Sequence, residues 1–343
     1  MKVLVRGGTG FVGRHVVWRS LLSGYATVFT GRNVEVARQV MEMAELVSPN
    51  NLPVFHPESH PPIESFDVVI DCAGKVDLAG TRADYIRVNV DRTLDAWTHA
   101  RAHNARAFVS VSSASVLFSL RDQLGLTDGV PATPLGIHAY ADSKALSERM
   151  LWERRGQGPA IRIIRPRGVY GPYDSGVLPR ILKVARRLGG RFPLPSPGAL
   201  VSMTAASNLA HAVLLAAEAP ASAGDGIWNV SDGDDRTLGE LIKLAGHASG
   251  QVLRPFRVPG NLLRGIGRVG DFICTPLRIE PRISLYTAEL LCRSRTLCID
   301  AIRRDLGYAP LLTVESAFAS LAEFIQSGTL PELSIMRAGG GHR

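Results

Sequence analysis

The sequence predicts an α/β fold, a doubly wound parallel sheet followed by a smaller C-terminal lobe. Three observations carry this. Short apolar runs alternate with helical patterns through the first half of the chain. Three evenly spaced glycines stand between the first apolar run and the first helical one. The texture then changes at Pro172, beyond which proline and glycine cluster in residues 189–198. Strands alternating with helices favour parallel β-α-β units, with helices covering both faces of the sheet.

Taken in order, residues 2–6 read as a buried strand, 11–22 as a helix and 26–30 as a β-rich second strand. Residues 67–71 follow as a strand, 88–103 as a helix, 107–111 as a strand, 138–155 as a helix and 161–165 as a strand. Later, Thr237 and Glu240 form a capping box, and Thr313 precedes a periodic run to Ile325. These elements divide the chain. Residues 1–171 make the main domain, with 202–233 returning to it. Residues 172–201 and 234–330 make the lobe, and the glycine-rich 338–343 is expected to be a disordered tail.

Composition narrows the function classes. The 343 residues are 45% hydrophobic and 20% charged, which excludes a disordered or collagenous chain. Lys plus Arg is 39 against 31 Asp plus Glu, a net charge of +8. That excess suits an anionic ligand or an anionic membrane surface. No nucleic acid is expected, because the basic cluster Arg186, Arg187 and Arg191 lacks interleaved aromatics. The four cysteines make no CxxC and the nine histidines no HExxH, so neither a disulfide framework nor a metal site is expected. His56 and His60 lie among prolines and read as loop residues. The cysteine usage makes a reducing cytoplasm the expected compartment, and Val3-Leu4-Val5 runs at once into glycine without an apolar h-region, so no secretory signal is expected. No run is long enough to cross a bilayer.

Gly7, Gly10 and Gly13 sit three apart at the turn from the first strand into the first helix. A chain that passes close to a pyrophosphate there needs no side chains, and the helix N-terminus adds free N–H groups and partial positive charge. The second strand ends Thr30-Gly31-Arg32-Asn33, with no acidic residue before Glu35 to accept from a ribose 2′-hydroxyl. Arg32 suits a 2′-phosphate, with Asn33 as a neutral donor, so NADP(H) is the preferred cofactor and NAD(H) the alternative.

Tyr140 and Lys144 lie four apart on the helix read over 138–155 and so share one face. With seven tyrosines and five lysines in the chain, such a pair arises by chance roughly 0.1 times. A free phenol titrates near ~10, and a close ammonium favours the phenolate, which makes the tyrosine a usable proton carrier. Ser112 and Ser113 end the strand 107–111 and offer a hydroxyl for a carbonyl oxygen. The residues alone do not choose between them.

Four stretches in this order resemble the extended short-chain dehydrogenase/reductases, also called the NAD-dependent epimerase/dehydratase family. They are GGTGFVG at 7–13, SSAS at 112–115, YADSK at 140–144 and RPRGVYGP at 165–172. Asn89 to Thr93, residues 202–217 and DAIRRDLGYAP at 300–310 extend the likeness over nearly the whole chain. The resemblance implies a Rossmann sheet, a C-terminal substrate lobe and a catalytic set of Ser113, Tyr140 and Lys144. It also implies cofactor contacts at Gly7, Thr9, Gly10, Phe11, Val12, Gly13, Ala73, Gly74 and Val169, besides Arg32, Asn33, Tyr140 and Lys144. Departures shape the expectation. Gly168 stands where sugar-nucleotide enzymes of the family often carry Asn, and looks more like the 3β-hydroxysteroid dehydrogenase-like branch. Ala114 and Ser115 replace the acid pair of the dehydratases, and His56-Pro57 replaces the usual Asp near the adenine.

The expected activity is hydride transfer between a nicotinamide and a secondary alcohol or ketone on a fairly lipophilic small molecule. Two alternatives are a nucleotide-sugar epimerase and a cofactor-binding regulator without catalysis. Residues 262–273 place Leu262, Ile266, Val269 and Ile273 at helical spacing, a candidate border of the substrate pocket or a peripheral membrane contact. A homodimer is the other expected association.

Overall fold

A computed structural model of the chain describes residues 1–58, 62, 64–76, 80–132, 134, 136, 138–274, 279, 281, 283–328 and 330. The tail 338–343 and His60 lie outside the described residues.

Seven parallel strands form the main sheet. They are β1 (Lys2–Arg6), β2 (Ala26–Gly31), β3 (Val54–Pro57), β4 (Val68–Asp71), β5 (Ala107–Val111), β7 (Ala160–Pro166) and β12 (Gly226–Val230); β6 (Gln123–Leu126) leaves for the lobe. The order is β12-β7-β5-β4-β1-β2-β3. The chain therefore runs outward one way from β1 through β3, then reverses at β4. Between β1 and β4 lies the topological switch point, and in such sheets ligands bind at the carboxyl ends of the strands there. The strands can be nearly all apolar because both faces are covered: Val3, Val5, Val68, Ile70, Phe108 and Val109 are all fully buried.

The covering helices in the first half are α1 (Phe11–Leu22), α2 (Val34–Val47), α3 (Arg82–Ile86), α4 (Arg92–Ala102) and α5 (Ala139–Trp152). Two differ from the sequence reading. Helix α2 is capped by Asn33, whose side chain accepts from the N–H groups of Glu35 and Val36. The single helix read over 88–103 is instead α3 and α4 joined by a wide π-helical turn, Arg87–Asp91. That extra residue per turn buries Asn89 completely.

The lobe carries α6 (Val177–Arg187), α8 (Leu238–Ala248), α9 (Gly260–Cys274), α10 (Leu285–Cys292) and α12 (Val314–Ser327), whereas α11 (Asp300–Leu306) packs beside β12 and buries Ile302 in the main core, not in the lobe as the sequence division had it. Between α6 and α8, α7 (Ala206–Glu218) is buried along most of its length and shares one core with α1, while β12 closes the edge of the main sheet. Both α8 and α12 start where the sequence placed their caps, at Thr237 and Thr313.

Among the described residues, eight short strands complete the fold: β6, β8 (Val169–Tyr170), β9 (Arg191–Leu194), β10 (Leu200–Val201), β11 (Thr204–Ala205), β13 (Arg236–Thr237), β14 (Arg254–Arg257) and β15 (Arg295–Leu297). The sheet β13-β10-β15-β6 ties the lobe to the segment just after β5. A second apolar core, including Leu182, Phe192, Leu194, Leu241 and Phe318, fills the lobe. Along α9, Leu262, Ile266, Val269, Phe272 and Ile273 face outward, Phe272 being 83% exposed. Among the described residues no helix is long and apolar enough to cross a membrane.

Candidate active site

The glycine loop closes directly over the switch point. Gly7 has φ +72°, and a Cβ there would lie 2.8 Å from the backbone of Ala73, just past β4. Both facts demand glycine. At Gly13 a Cβ would fall 2.1 Å from the Gly7 carbonyl oxygen, so this residue lets α1 pack onto the loop. A Cβ on Gly10 would meet only the Gly7 carbonyl oxygen, at 3.1 Å, and otherwise open space. Gly10 caps α1 without a side-chain bond, and the first turn holds no acidic residue. Arg14 braces the loop by donating to the Thr9 carbonyl at 3.1 Å. Thr9 itself presses on the end of β2, where a Cβ on Gly31 would strike its hydroxyl. A glycine-walled cradle at an uncapped helix N-terminus fits the pyrophosphate of a dinucleotide. Phe11 is turned edge-on to His15, Val12 packs toward the core, and Val169 sits in β8 beside Thr204.

The end of β2 is more crowded than the sequence suggested. Arg32 is 79% exposed and lies 3.7 Å from Glu58, the residue after β3. The Glu58 N–H donates to the Gly31 carbonyl, which brings a carboxylate to the second strand's end after all. Counting only the residues before Glu35 missed it, because β3 is adjacent in space and not in sequence. Arg92 also pairs with Glu58, at 2.6 Å, so the cluster keeps a net positive charge. The Asn33 side-chain oxygen caps α2, accepting from the Glu35 and Val36 N–H groups, a role separate from donation by its amide nitrogen.

The two serines after β5 divide. Ser112 is buried, and its hydroxyl donates to Glu148 on α5. The Glu148 carboxylate is also clasped by Arg165, with Nη2 at 2.6 Å. Ser113 instead caps the short turn that follows, accepting from the Ser115 N–H at 3.1 Å, and turns to Tyr140. Burial pushes the Tyr140 phenol up to about 12, against the pull of the Ser113 hydroxyl. The lowering expected from Lys144 does not come from the protein's own groups. The Lys144 ammonium is buried and donates to the Val111 carbonyl at 2.9 Å, while burial outweighs the opposing pull of Asp71 and lowers its pKa. It sits beside Gly74, 3.5 Å from where a Cβ would be.

Asn89 joins this cluster, a residue the sequence marks only as part of the family likeness. Its amide nitrogen donates to the Ser143 hydroxyl at 2.9 Å and to the Lys75 carbonyl, and its oxygen accepts from the Lys75 N–H. It thereby fixes the chain after β4 against α5. No periodicity signals it, since a π-helical turn has no composition of its own. Above Tyr140, His138 stacks on Tyr286 of α10 at 4.4 Å. Burial and the Arg180 charge pull the His138 imidazole down, and Asp142 only partly opposes them, leaving it at about 4. Gly168 adopts φ +55°, and a Cβ there would meet the Met203 sulfur at 2.5 Å, so this wall is apolar.

Hydroxyls, an ammonium and a dinucleotide cradle thus share one edge of the sheet, a set suited to proton and hydride exchange at a carbonyl. The chain is 26% identical over 94% of its length to a 4-hydroxy-2-methyl-3-oxo-4-farnesyl-3,4-dihydroquinoline-1-oxide ketoreductase of Stigmatella aurantiaca, covering 96% of that protein. It is 28% identical over 94% of its length to a 2-alkyl-3-oxoalkanoate reductase of Stenotrophomonas maltophilia, covering 98% of it. Its fold matches the UDP-glucuronic acid 4-epimerase of Bacillus cereus, solved in complex with NAD, with a TM-score of 0.72 and 16% identity over 95% of this chain and 99% of that one. The family model described as the 3-beta hydroxysteroid dehydrogenase/isomerase family matches residues 4–225, and the chain belongs to that family of NAD(P)-dependent oxidoreductases.

Proposed function

We propose that this protein is an NADP(H)-preferring ketoreductase that interconverts a ketone and a secondary alcohol on a lipophilic small molecule. The observation that carries the reading is the meeting of Ser113 and Tyr140 on the edge that also holds Lys144 and the glycine loop. The names of the two relatives support the reaction type.

When bound, the nicotinamide would supply or accept the hydride. Ser113 would donate to the carbonyl oxygen and hold it against Tyr140. A phenol that titrates at about 12 is protonated at neutral pH, so Tyr140 is ready to give its proton to that oxygen during reduction. Lys144, directed toward Gly74, would bond the nicotinamide ribose. Gly7, Gly10 and Gly13 would admit the pyrophosphate. Arg32, with Arg92 behind it neutralising Glu58, would take the 2′-phosphate.

Gly168 supports a ketoreductase over a nucleotide-sugar epimerase, because Met203 occupies the space a polar side chain would need. The outward apolar side of α9 supports a peripheral membrane contact near the mouth of the lobe. The test is steady-state turnover of free NADPH and NADH with a panel of long-chain ketones. Net oxidation of NADPH, faster than of NADH and lost in Tyr140→Phe, is the expected result. Interconversion of an epimer pair with no net cofactor turnover would replace this reading with the epimerase.

A further inference from the structure

Next to Ser113 lies a cleft of about 10 Å³, lined among others by Ser115, Phe118, Gln123, Arg167, Tyr286 and Arg295. A space of that size holds one water and no larger ligand. Four segments meet there: the turn after β5, β6, the link from β7 to β8, and β15.

Each segment brings one buried polar atom without a hydrogen-bond partner in the chain: the Ser115 Oγ, the Gln123 Oε1, the Arg167 Nε and the Arg295 Nε. Native proteins leave few such atoms, and four around one small cleft call for a shared water. The remaining atoms of two of these side chains are already committed. The Gln123 Nε2 donates to the Leu117 carbonyl at 2.8 Å, which leaves Oε1 as its unspent end. The Arg295 Nη1 and Nη2 donate to the Glu289 and Ser119 carbonyls, and its guanidinium lies over the Phe118 ring. Ser115 and Arg295 are both buried. The donor count fits water. Two guanidinium N–H groups donate, the Gln123 oxygen accepts, and a hydroxyl does either. One water has two lone pairs for the two N–H groups and two hydrogens for the two oxygens. An anion would set its own charge against the Gln123 oxygen. The Tyr286 phenol also faces the Ser115 hydroxyl, which has lone pairs for both.

The place of Ser115 gives this water a consequence. The Ser115 N–H donates to the Ser113 Oγ at 3.1 Å. That bond takes a lone pair of Ser113 and leaves its hydrogen to be given elsewhere. Whatever fixes Ser115 therefore fixes the direction in which Ser113 donates. We infer that one buried water, shared by Ser115, Gln123, Arg167 and Arg295, locks the turn that aims Ser113, which makes Gln123 and Arg167 positioning residues for the reaction. The part played by Ser113 rests on the ketoreductase reading; the water does not. Because Arg295 belongs to β15, the lock also ties the lobe to the edge of the main sheet at the point where the hydroxyl is aimed.

The test is crystallographic and kinetic. Wild-type crystals, with and without a sodium bromide soak, are expected to show one water within about 3.2 Å of all four atoms and no anomalous bromide signal there. A cleft without density, or a bromide peak, overturns the proposal. Gln123→Met removes one acceptor and Ser115→Ala only a hydroxyl, so the second stays informative if the first does not fold. In both, the water should be lost and the Ser115 N–H should move beyond about 3.5 Å from the Ser113 Oγ. An unmoved Ser113–Ser115 bond in Ser115→Ala overturns the lock. With a panel of long-chain ketones and NADPH, each variant should lower kcat at least about fivefold and leave KM within about twofold. Neither should lower kcat further in a Ser113→Ala background. Losses that add to that of Ser113→Ala would mark a general loosening and overturn the route through Ser113. An ordered water and a displaced Ser113, with no ketone turned over by wild type, would keep the lock and sink the ketoreductase reading.

Discussion

Two regions on either side of the β5 and β7 carboxyl ends use the same residue types in opposite ways. On the α5 side, Ser112 and Arg165 close a network around Glu148. Arg165 donates to both carboxylate oxygens and to the carbonyls of Asp128 and Val130, and it is 2% exposed. On the lobe side, Ser113 and Arg167 stay open: Ser113 turns to Tyr140, and the Arg167 Nε is buried without a partner. The first region spends its polar groups on each other and fixes strand against helix. The second leaves the Arg167 Nε unspent and sets the Ser113 hydroxyl against Tyr140. The two serines are adjacent and a single residue, Pro166, separates the two arginines, yet the first of each pair is tied to Glu148 and the second is not.

The largest effect should come from the open side. Tyr140→Phe keeps the ring and removes the proton, so kcat should fall at least ~10²-fold while the cofactor-induced rise in Tm is kept. Full activity in that variant would remove Tyr140 from the reaction. The closed side should respond in stability instead. Arg165→Met strands the Glu148 carboxylate and should cost about 3–5 kcal/mol, read as the midpoint of urea unfolding. If Arg165→Met were as stable as wild type, the network would be incidental.

Neighbouring serines test the division most directly. Ser113→Ala should lower kcat by roughly 10²-fold with little change in Tm, because it removes a donor to the developing oxyanion. Ser112→Ala should lower stability by about 1–3 kcal/mol and leave kcat within a few-fold. The reverse pattern would exchange their roles.

Cofactor choice should respond less. Arg32→Asp is expected to reverse a roughly ten- to hundredfold preference for NADP(H), measured by titrating both cofactors. Glu58→Gln should sharpen the preference a few-fold, since it frees Arg32 and Arg92 together. Equal affinities for the two cofactors in wild type would mean that Arg32 only points into solvent.

The last effect, a pH dependence of folding, comes from a closed site elsewhere. His15 is 1% exposed, donates from Nε2 to the Pro172 carbonyl at 3.0 Å, and is held by burial at about 4. Its folded pKa lies below the unfolded value of ~6.5, so the unfolded chain binds the extra proton first. Its contribution is full above that value and is lost as the pH falls toward 4. Tm should decline over that window, and less so in His15→Asn; an equal decline in both would assign the effect to other groups.

The sequence by itself determined what depends on neighbours along the chain. The strand–glycine–helix start, the caps at Thr237 and Thr313, and the Tyr140–Lys144 spacing are all local, and backbone sterics and hydrogen bonding act at that range. Residues that meet only through the sheet had no such signal. Glu58 reaches Arg32 because β3 pairs with β2, and Arg295 reaches Arg167 because the strand β15 joins β6 and β10 beside the main sheet. The choice of Ser113 over Ser112 needed α5 to bring Glu148 to one hydroxyl and Tyr140 to the other. The Tyr140 phenol rose instead of falling for the same reason. Spacing on a helix tells which charges are near, but desolvation depends on everything packed around the group, and only the tertiary structure sets that.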